Sequence, residues 1–172
     1  MKSKFIPLIL ILIFLITFVI FFKGLKNSNI YTPDTNLKKE VPSFELKSFE
    51  NDSIVISEKI FKDNDYYFMN IWASWCIPCK EEHKFLMELK KDDKIELIGF
   101  NYKDNFTNAS SFLKDLGNPY DIIVSDKDGT ASIEWGAYGV PESFLVYQNK
   151  IIKRFIGPIN NEDLLEIQKI IR

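Results

Sequence analysis

One short segment contains both cysteines of the chain, and it constrains the fold more than any other feature. Cys76 and Cys79 are separated by two residues. They follow an apolar, aromatic run at 65–72 and precede a stretch at 80–91 that has helical periodicity. The pattern therefore predicts an interior strand that ends beside a helix, with the cysteine pair at the junction.

Two cysteines at this spacing can form a redox-active dithiol, half of a metal site or a structural disulfide. A zinc site needs two further sulfur or imidazole ligands, but the chain has 2 cysteines and 1 histidine, His83. Lys80 follows Cys79 where covalent c-type haem attachment requires a histidine. A disulfide that closes so short a loop adds little stability. The residues therefore favour a redox-active dithiol, with no metal.

The predicted junction gives the two cysteines different roles. Cys76 is expected at the helix N-terminus, where unpaired N–H groups and the helix dipole stabilise a thiolate. Pro78 falls in the first turn, where its missing N–H removes no helical hydrogen bond. Cys79 lies one turn further on, directed to the core. We therefore expect Cys76 to be the attacking thiol and Cys79 to be the resolving thiol.

The predicted helix has one face with apolar periodicity. Residues on this face recur at spacings of three and four: Cys79, Glu82, Leu86 and Leu89. Glu82 is therefore expected to lie partly buried beside the dithiol. His83 is interpreted as an ordinary residue of the helix surface, rather than as a partner of a thiolate.

The N-terminal region contains a long apolar run. Phe5–Phe22 has no charged residue and is flanked by lysines on both sides. Its length is about that needed to cross a bilayer, and no small-residue cleavage site follows it. Residues 1–23 are therefore predicted to be an uncleaved membrane anchor. Because the flanking lysines are balanced, the positive-inside rule does not decide the orientation.

The rest of the chain is predicted to be a linker and one domain. Residues 24–40 are polar with little apolar periodicity and are predicted to be a linker. Residues 41–172 are predicted to be the globular domain. Three of the 22 basic residues lie in 1–23, so the remainder carries 19 basic and 24 acidic residues. With no basic patch, neither a nucleic-acid partner nor adhesion to anionic lipid is expected.

Strands and helices alternate along the globular part, which is typical of an α/β domain with parallel crossovers. In addition to the cysteine junction, the sequence predicts two hairpins (43–49 with 53–56, and 143–147 with 151–156) and two strands (94–102 and 120–124). It also predicts a helix between these two strands, with Thr107 as N-cap and Gly117 as its stop, and a terminal helix capped by Asn160. The turn at 126–129 is interpreted as a plain turn rather than a calcium loop. Pro141 immediately precedes a strand. It can simply open that strand, or it can form a cis peptide bond with the residue before it.

Four blocks of sequence resemble the membrane-anchored thiol:disulfide interchange proteins of cytochrome c biogenesis. This is the DsbE/CcmG family, in the TlpA/ResA-like branch of the thioredoxin superfamily. The blocks are Trp72–His83, Asn101–Asp104, Gly117–Tyr120 and Gly136–Phe144. The resemblance covers roughly 41–172. It implies an α/β thioredoxin-like fold, with a central mixed β-sheet flanked by helices, an extra N-terminal β-hairpin, a central insertion and an N-terminal transmembrane helix.

The resemblance also implies a function. It implies a single-pass protein of the bacterial inner membrane, with its N-terminus in the cytoplasm and its catalytic domain in the periplasm. Such a protein reduces disulfides of apocytochrome c, or of a thiol protein of cytochrome c maturation, before haem attachment. A membrane electron donor of the DsbD/CcdA kind recharges it. The redox-active disulfide acts without a bound cofactor.

Site residues carry over from the family one by one. Cys76–Cys79 matches the redox pair, and Pro141 matches the cis-proline that lies against it. Glu142 matches an acid beside that loop, and Glu82 an acid of the active-site helix. General thioredoxins have a buried aspartate six residues before the first cysteine, where this chain has Asn70. Glu82 is therefore expected to help deprotonate Cys79.

The other residues of the site are expected to shape the surface that meets a partner: Trp75, Pro78, Tyr138, Val140, Pro141 and Glu142. Backbone groups before Pro141 can pair with an incoming peptide as an added strand. Trp72 and Trp75 are interpreted as packing around the site rather than as catalytic. Glu82 and Glu142 are expected to oppose the helix dipole, to hold the Cys76 pKa up and to make the dithiol a reductant.

Three other functions compete with this interpretation. A peroxidase of the peroxiredoxin type needs proline and threonine where this chain has Met69 and Ala73. A copper-binding chaperone of related fold needs a cysteine spacing of three and a distant histidine, but this chain has only His83. A general periplasmic disulfide reductase would use the same residues, so only its partners would distinguish it.

Overall fold

The computed structural model describes residues 5–26, 39–61 and 65–172. By its internal contacts the chain divides into two compact units, residues 1–33 and 34–172, and each is described by itself. Most of the predicted linker at 24–40 lies outside the described residues. Its last two residues, Lys39–Glu40, form a short strand, β1.

The first unit contains one long helix, α1, at Ile6–Lys26. Its segment Ile6–Gly24 has a mean hydropathy of 2.9, and its side chains are exposed. At 1.5 Å per residue, this segment is about 30 Å long, the thickness of a bilayer core. Thr17 donates its hydroxyl to Ile13 O at 3.0 Å, so its polar group is satisfied within the helix. By length and composition, α1 is a candidate membrane span.

The second unit is an α/β domain. Its strands are β1 (Lys39–Glu40), β2 (Glu45–Ser48), β3 (Val55–Ser57), β4 (Tyr66–Trp72), β5 (Ile95–Tyr102), β6 (Ile122–Asp126), β7 (Glu142–Tyr147) and β8 (Lys150–Ile156). Its helices are α2 (Ile77–Leu89), α3 (Phe106–Leu116), α4 (Thr130–Glu134) and α5 (Asn161–Ile170), with a 3₁₀ turn at Glu58–Ile60. The described strands form one mixed sheet in the order β1-β8-β7-β4-β5-β6-β2-β3.

Strand β4 lies at the centre of the sheet. It pairs in parallel with β5 and antiparallel with β7. This register places Asn70 between Gly99 on one side and Ser143 on the other. A strand covered on both faces is a near-continuous run of buried side chains, as β4 is here. Asn70 is therefore held in the interior, directly below the end of the strand that leads to the cysteines.

Hydrophobic side chains cover both faces of the sheet. Because alternate residues of a strand point to opposite faces, Phe68 and Trp72 pack with α2, α3 and α5, whereas Met69 packs with α4 and Trp135. Buried residues of the helices complete the first layer: Leu86, Leu89, Ala109, Leu113, Leu164 and Ile167. Asn70 belongs to the same side of β4 as Phe68 and is therefore directed toward α2.

Most predicted elements are present, with shifted boundaries. Gly117 ends α3 with a φ of 91°, as predicted, but the predicted N-cap Thr107 is wrong. Asn105 caps α3 instead, because its side chain accepts the N–H groups of Thr107 and Asn108. The hairpin between β7 and β8 turns at Gln148 and Asn149, both with positive φ, as a tight two-residue hairpin requires.

Strand β1 and helix α4 have no counterpart in the predicted elements. Asp126 holds the start of α4, since its carboxylate accepts the N–H and the hydroxyl of Ser132 at 2.9 and 2.6 Å. The first residue of the turn interpreted as plain is therefore a structural carboxylate.

Candidate active site

Cys76 and Cys79 lie at the junction that the sequence predicts. They form a disulfide, with their Cα atoms 5.3 Å apart. Cys76 is the N-cap of α2, and its Sγ accepts a hydrogen bond from the N–H of Cys79 at 3.1 Å. Pro78 occupies the first turn, as predicted. In the reduced form, the same amide and the helix N-terminus favour a thiolate at Cys76.

The two cysteines do not differ much in exposure. In the disulfide form, Cys76 is 4% exposed and Cys79 is 2% exposed. The different roles that the sequence predicts for the two sulfur atoms therefore do not follow from access to solvent in this form.

Glu82 lies one helical turn after Cys79 and is buried, more completely than the sequence suggests. Its Oε1 accepts the side-chain N–H of Asn70 at 2.9 Å. Its Oε2 accepts the backbone N–H of Ile159, also at 2.9 Å. Burial raises the pKa of Glu82 from 4.5 to about 7, and these two hydrogen bonds lower it by less. A carboxyl group that titrates near neutrality thus lies one helical turn from Cys79.

Residues distant in sequence complete the surroundings of Glu82. Tyr120 donates its hydroxyl to Asn70 Oδ1 at 2.7 Å, and Asn70 Nδ2 donates to Ser143 Oγ at 2.9 Å. The Tyr120 ring stacks on Trp72, with centroids 5.5 Å apart. Sequence reasoning did not find Tyr120 or Ser143. The block that contains Tyr120 was matched to the family, but no local pattern indicates its hydrogen bond to a residue 50 positions away.

The Val140–Pro141 peptide bond is cis, as the family resemblance implies. Pro141 is buried, and its carbonyl oxygen accepts the N–H of Gly157 at 3.1 Å. Val140, by contrast, is only partly buried.

Glu142 has a different role from the one expected. Its Oε1 accepts the N–H groups of Tyr138 and Gly139 at 2.6 and 3.1 Å, which fixes the loop before the cis-proline. Its Oε2 accepts Arg154 Nε at 2.9 Å and forms a buried ion pair with that guanidinium. The expectation that the Glu142 charge opposes the helix dipole is therefore wrong, because Arg154 neutralises it.

The segment before Cys76 is held by the loop after β5. Asp104 accepts the N–H of Ser74 at 2.5 Å and the Ser74 hydroxyl at 2.8 Å. The indole N–H of Trp75 donates to Lys103 O at 3.2 Å. Trp75 is nevertheless 55% exposed, and its ring contacts Tyr102 with centroids 6.4 Å apart, whereas Trp72 is buried. The hydrogen bonds from Trp75 and Ser74 leave the Trp75 ring on the surface.

Apolar side chains are exposed around the disulfide. Trp75 precedes it, Ile77 lies within it and is 75% exposed, and Tyr138 on the cis-proline loop is 67% exposed. The guanidinium of Arg154 lies 4.9 Å from the centroid of the Tyr138 ring. Trp75 and Ile77 therefore expose apolar side chains on either side of Cys76 in the chain, and Tyr138 exposes one on the cis-proline loop.

His83 is not a surface residue, so that interpretation is wrong. It is 3% exposed, and its Nε2 donates to Gly117 O at 2.9 Å. Its ring lies edge-on to Phe112, with centroids 5.2 Å apart. Burial lowers the pKa of His83, which keeps the imidazole neutral. The loop after α3 folds over this face of α2, a contact that helical periodicity does not reveal.

Across residues 5–26, 39–61 and 65–172, no group of three or more His, Cys, Asp or Glu side chains is arranged to hold a metal ion.

Comparison with known proteins decides the family. The Redoxin family model matches residues 36–171. DsbE, a thiol:disulfide interchange protein of Escherichia coli (strain K12), is 36% identical over 166 residues, which cover 93% of this chain and 89% of that protein. The chain belongs to the DsbE family of thiol:disulfide interchange proteins. As a DsbE-family protein, it is a thiol:disulfide oxidoreductase with a redox-active cysteine pair.

Other relatives agree with this assignment. The DsbE-family chain is 34% identical to DsbE of Yersinia pestis over 165 residues, covering 93% of this chain and 86% of that protein. It is 48% identical to the thiol:disulfide interchange protein CycY of Rhizobium leguminosarum bv. viciae over 99 residues, or 57% of this chain. In that comparison, the chain spans 53% of the relative's length.

Solved structures confirm the fold. StoA from Bacillus subtilis is 27% identical, with a TM-score of 0.59, and the match covers 74% of this chain and 97% of that one. A DsbF homologue from Corynebacterium diphtheriae is 25% identical, with a TM-score of 0.64, and the match covers 76% and 85%. The predicted thioredoxin-like α/β fold with a mixed sheet is confirmed.

Proposed function

We propose that this DsbE-family protein is a membrane-anchored reductant of the bacterial periplasm. Its substrate is a disulfide of apocytochrome c, or of a thiol protein that handles apocytochrome c during maturation. Helix α1 anchors it to the inner membrane in a single pass, and a membrane electron donor of the DsbD/CcdA kind restores its dithiol. The observation that carries the proposal is the buried Glu82 carboxyl, one helical turn after a cysteine pair whose first member, Cys76, caps helix α2.

The reaction is a two-electron thiol:disulfide exchange. The Cys76 thiolate attacks one sulfur of the substrate disulfide, forms a mixed disulfide and releases the other substrate sulfur as a thiolate. Cys79 then transfers its proton to Glu82 and attacks the Cys76 sulfur. The second substrate sulfur leaves as a thiolate and takes up a proton. The substrate is reduced to a dithiol, and the Cys76–Cys79 disulfide is the oxidised product.

The position of Glu82 supports reduction rather than oxidation. A strongly oxidising dithiol is one whose thiolate is greatly stabilised in the reduced form. Glu82 is a buried acid one turn from Cys79, and in its ionised form it disfavours a second negative charge nearby. This charge counteracts the helix N-terminus, so the reduced form gives up its electrons more readily. Glu142 is not part of this argument, because Arg154 pairs with it.

The exposed apolar surface supports a protein substrate in an unfolded conformation. Trp75 and Ile77 expose apolar side chains next to Cys76 in the chain, and Tyr138 exposes a ring on the cis-proline loop. An extended chain can lie along the cis-proline loop, with its cysteine directed to Cys76. These features suit apocytochrome c before haem attachment, but they also suit other unfolded chains, so a general periplasmic reductase is the alternative.

Trapping in cells tests the proposal. Cys79→Ser removes the resolving sulfur, so mixed disulfides between Cys76 and its substrates should accumulate. The Cys76→Ser variant is the matched control, because it keeps one cysteine but lacks the attacking sulfur. Recovery of apocytochrome c or its thiol-handling partner with Cys79→Ser alone is the expected result. A broad set of secreted proteins would instead identify a general reductase.

A further inference from the structure

The buried amide of Asn70 joins Glu82 to a tyrosine on another element. Asn70 Oδ1 accepts from Tyr120, and Asn70 Nδ2 donates to both Glu82 and Ser143. An amide side chain has one accepting end and one donating end. Its orientation in this cluster therefore determines whether Glu82 receives a hydrogen bond or faces an oxygen.

Tyr120 is a donor throughout the pH range in which the protein works. It is buried, and burial together with the Glu82 charge raises its pKa well above the ordinary value of 10. The phenol consequently keeps its proton. If the Asn70 amide were reversed, this hydroxyl would face an NH₂ group and would lose the acceptor it now has.

We propose that Tyr120 is a positioning residue of the active site, which holds the Asn70 amide with its NH₂ group toward the Glu82 carboxylate. Tyr120 does not contact the cysteines in this role and acts through Asn70. The inference rests on the proposed role of Glu82 as the proton acceptor for Cys79, and it adds the residue that prepares Glu82 for that role.

Packing fixes Tyr120 in the required position. Its ring stacks on Trp72, which immediately precedes the active-site segment. Opposite Asn70 on β5, Gly99 leaves room for both rings, since a Cβ there would lie 2.8 Å from Trp72 Nε1 and 2.9 Å from Tyr120 Cγ. The stacking of Tyr120 on Trp72 therefore holds the Tyr120 hydroxyl at Asn70.

The orientation has a defined consequence for the proton affinity of Glu82. The hydrogen bond from Asn70 stabilises the ionised carboxylate and opposes the effect of burial. Without the Tyr120 hydroxyl, the amide can rotate and present Oδ1 to Glu82, which favours the protonated carboxyl. Glu82 would then be protonated, and unable to accept the Cys79 proton, at a pH where the wild-type group is free.

Other ionisable groups near Glu82 do not account for this effect. Glu82 accepts from the Asn70 side chain on β4 and from the Ile159 amide before α5, and Asn70 in turn donates to Ser143 on β7. Tyr120 is the titratable group that faces it from another element of the described residues. On its own helix, Cys79 lies in the disulfide, and His83 is neutral and bonded to Gly117.

The test is the titration of Glu82 in the full-length oxidised protein in detergent, followed by carboxyl ¹³C NMR. Tyr120→Phe keeps the ring that stacks on Trp72 and removes only the hydroxyl. The Glu82 midpoint should rise by about one pH unit, the size expected when one hydrogen bond to an ionised group is lost. The matched control is Tyr147→Phe, which removes a hydroxyl from a tyrosine stacked on Tyr66, at the end of β4 far from the cysteines. It should leave the midpoint unchanged.

A second measurement uses the wild-type protein and does not depend on the folding of a variant. The side-chain amide signals of Asn70 should titrate with the same midpoint as Glu82. Amide signals that stay constant across the Glu82 titration, or an unchanged midpoint in Tyr120→Phe, would overturn the inference.

Kinetics separate this inference from the proposed function. The rate of Cys79 attack on the mixed disulfide should show the same upward shift in pH dependence in Tyr120→Phe. If the NMR midpoint moves and the kinetic profile does not, Tyr120 positions Glu82 as inferred, but Glu82 is not the proton acceptor for Cys79.

Discussion

At the scale of single residues, Glu82 is a carboxyl group whose environment matches its proposed task. An efficient proton acceptor has a pKa close to the working pH, so that it is free to accept and still binds the proton well. Burial in the core beneath the dithiol brings the pKa of Glu82 to about 7. The hydrogen bonds from Asn70 and Ile159 keep its ionised form accessible.

Removing this carboxyl should slow the second chemical step. In Glu82→Gln, the rate at which Cys79 resolves a mixed disulfide should fall by about 100-fold at pH 8, the usual contribution of a positioned base. The increase in rate through pH 7 that we expect of the wild type should also disappear. Rapid-quench measurement of a peptide mixed disulfide would report both. Glu81→Gln is the matched control, because Glu81 is the exposed carboxylate next to it.

The same group makes stability depend on pH. Because folding raises the pKa of Glu82 from 4.5 to about 7, the folded chain binds this proton more tightly than the unfolded chain. Its contribution to the free energy of unfolding is therefore complete below pH 4.5 and is lost as the pH rises to about 7. That loss is on the order of 3 kcal/mol.

Glu82→Gln should abolish this loss, so it should be more stable than the wild type at pH 8 and similar to it at pH 4.5. Chemical unfolding of the oxidised protein at both pH values would measure the difference. Equal wild-type and variant pH profiles would contradict the assigned pKa.

The buried pair of Glu142 and Arg154 gives a separate prediction. Arg154→Met leaves a buried carboxylate without its cation, and the free energy of unfolding should fall by about 3–5 kcal/mol. Adding Glu142→Gln to this variant should recover part of the loss, because the remaining side chain is neutral and can still accept from the loop amides. A double variant no more stable than Arg154→Met would show that the ion pair is not what holds this loop.

At the scale of elements, β4 and β5 meet where their side chains must fit closely. Gly99 faces Trp72 and Tyr120 at distances that leave no room for a methyl group. Gly99→Ala should therefore shift one of these rings and destabilise the fold by about 1–3 kcal/mol. It should also move the Glu82 titration, because Tyr120 reaches Glu82 through Asn70.

Gly139→Ala provides the control for that substitution. Gly139 lies on the cis-proline loop, and an added Cβ there would meet nothing within 4 Å. Unfolding experiments on the two variants should show a loss of stability for Gly99→Ala alone. An equal effect of both substitutions would indicate that the glycine backbone, and not the ring packing, matters.

The helix that carries the cysteines is held just before its first residue and again near its middle. Asp104 holds Ser74 before Cys76, and the Cys76 sulfur itself caps α2. One turn later, His83 is bonded to Gly117 at the end of α3. Helix α2 is thus positioned by loops that follow two other elements, β5 and α3.

At the scale of the whole molecule, the proposed role requires attachment to a membrane. Helix α1 has the length and composition for this, with exposed apolar side chains from Phe5 to Phe22. The full-length protein should therefore remain in the membrane fraction after an alkaline carbonate wash, and a variant without residues 1–26 should not. Release of the full-length protein by the wash would contradict the proposed anchor.

The proposed orientation needs its own measurement. In cells whose outer membrane has been opened, an added protease should digest the domain at 34–172 if it faces the periplasm. A cytoplasmic protein in the same cells is the control for intact inner membranes. Protection of the domain would overturn the proposed periplasmic location.

The sequence by itself determined where the cysteine pair lies in the fold and which type of chemistry it can support. An apolar strand, two cysteines separated by two residues, and a helix with Pro78 in its first turn are all local patterns, and they are sufficient to place a redox pair at a helix N-terminus. The hairpins, the glycine stop of α3 and the cap of α5 are local as well. Local patterns could not choose between Asn105 and Thr107 as the cap of α3, because both residue types can cap a helix.

Only the tertiary structure decided what surrounds the redox pair. The contacts that matter join Glu82 to Ile159, 77 positions away, Asn70 to Tyr120, 50 positions away, and His83 to Gly117, 34 positions away. Periodicity reports which residues share a face of one element, but it does not report which residue of another element lies opposite. Such contacts form only when the sheet pairs β4 with β5 and β7. For this reason the position of the cysteines at the start of a helix was predicted correctly. The burial of His83, the neutralisation of Glu142 by Arg154 and the link from Tyr120 to Glu82 required the folded chain.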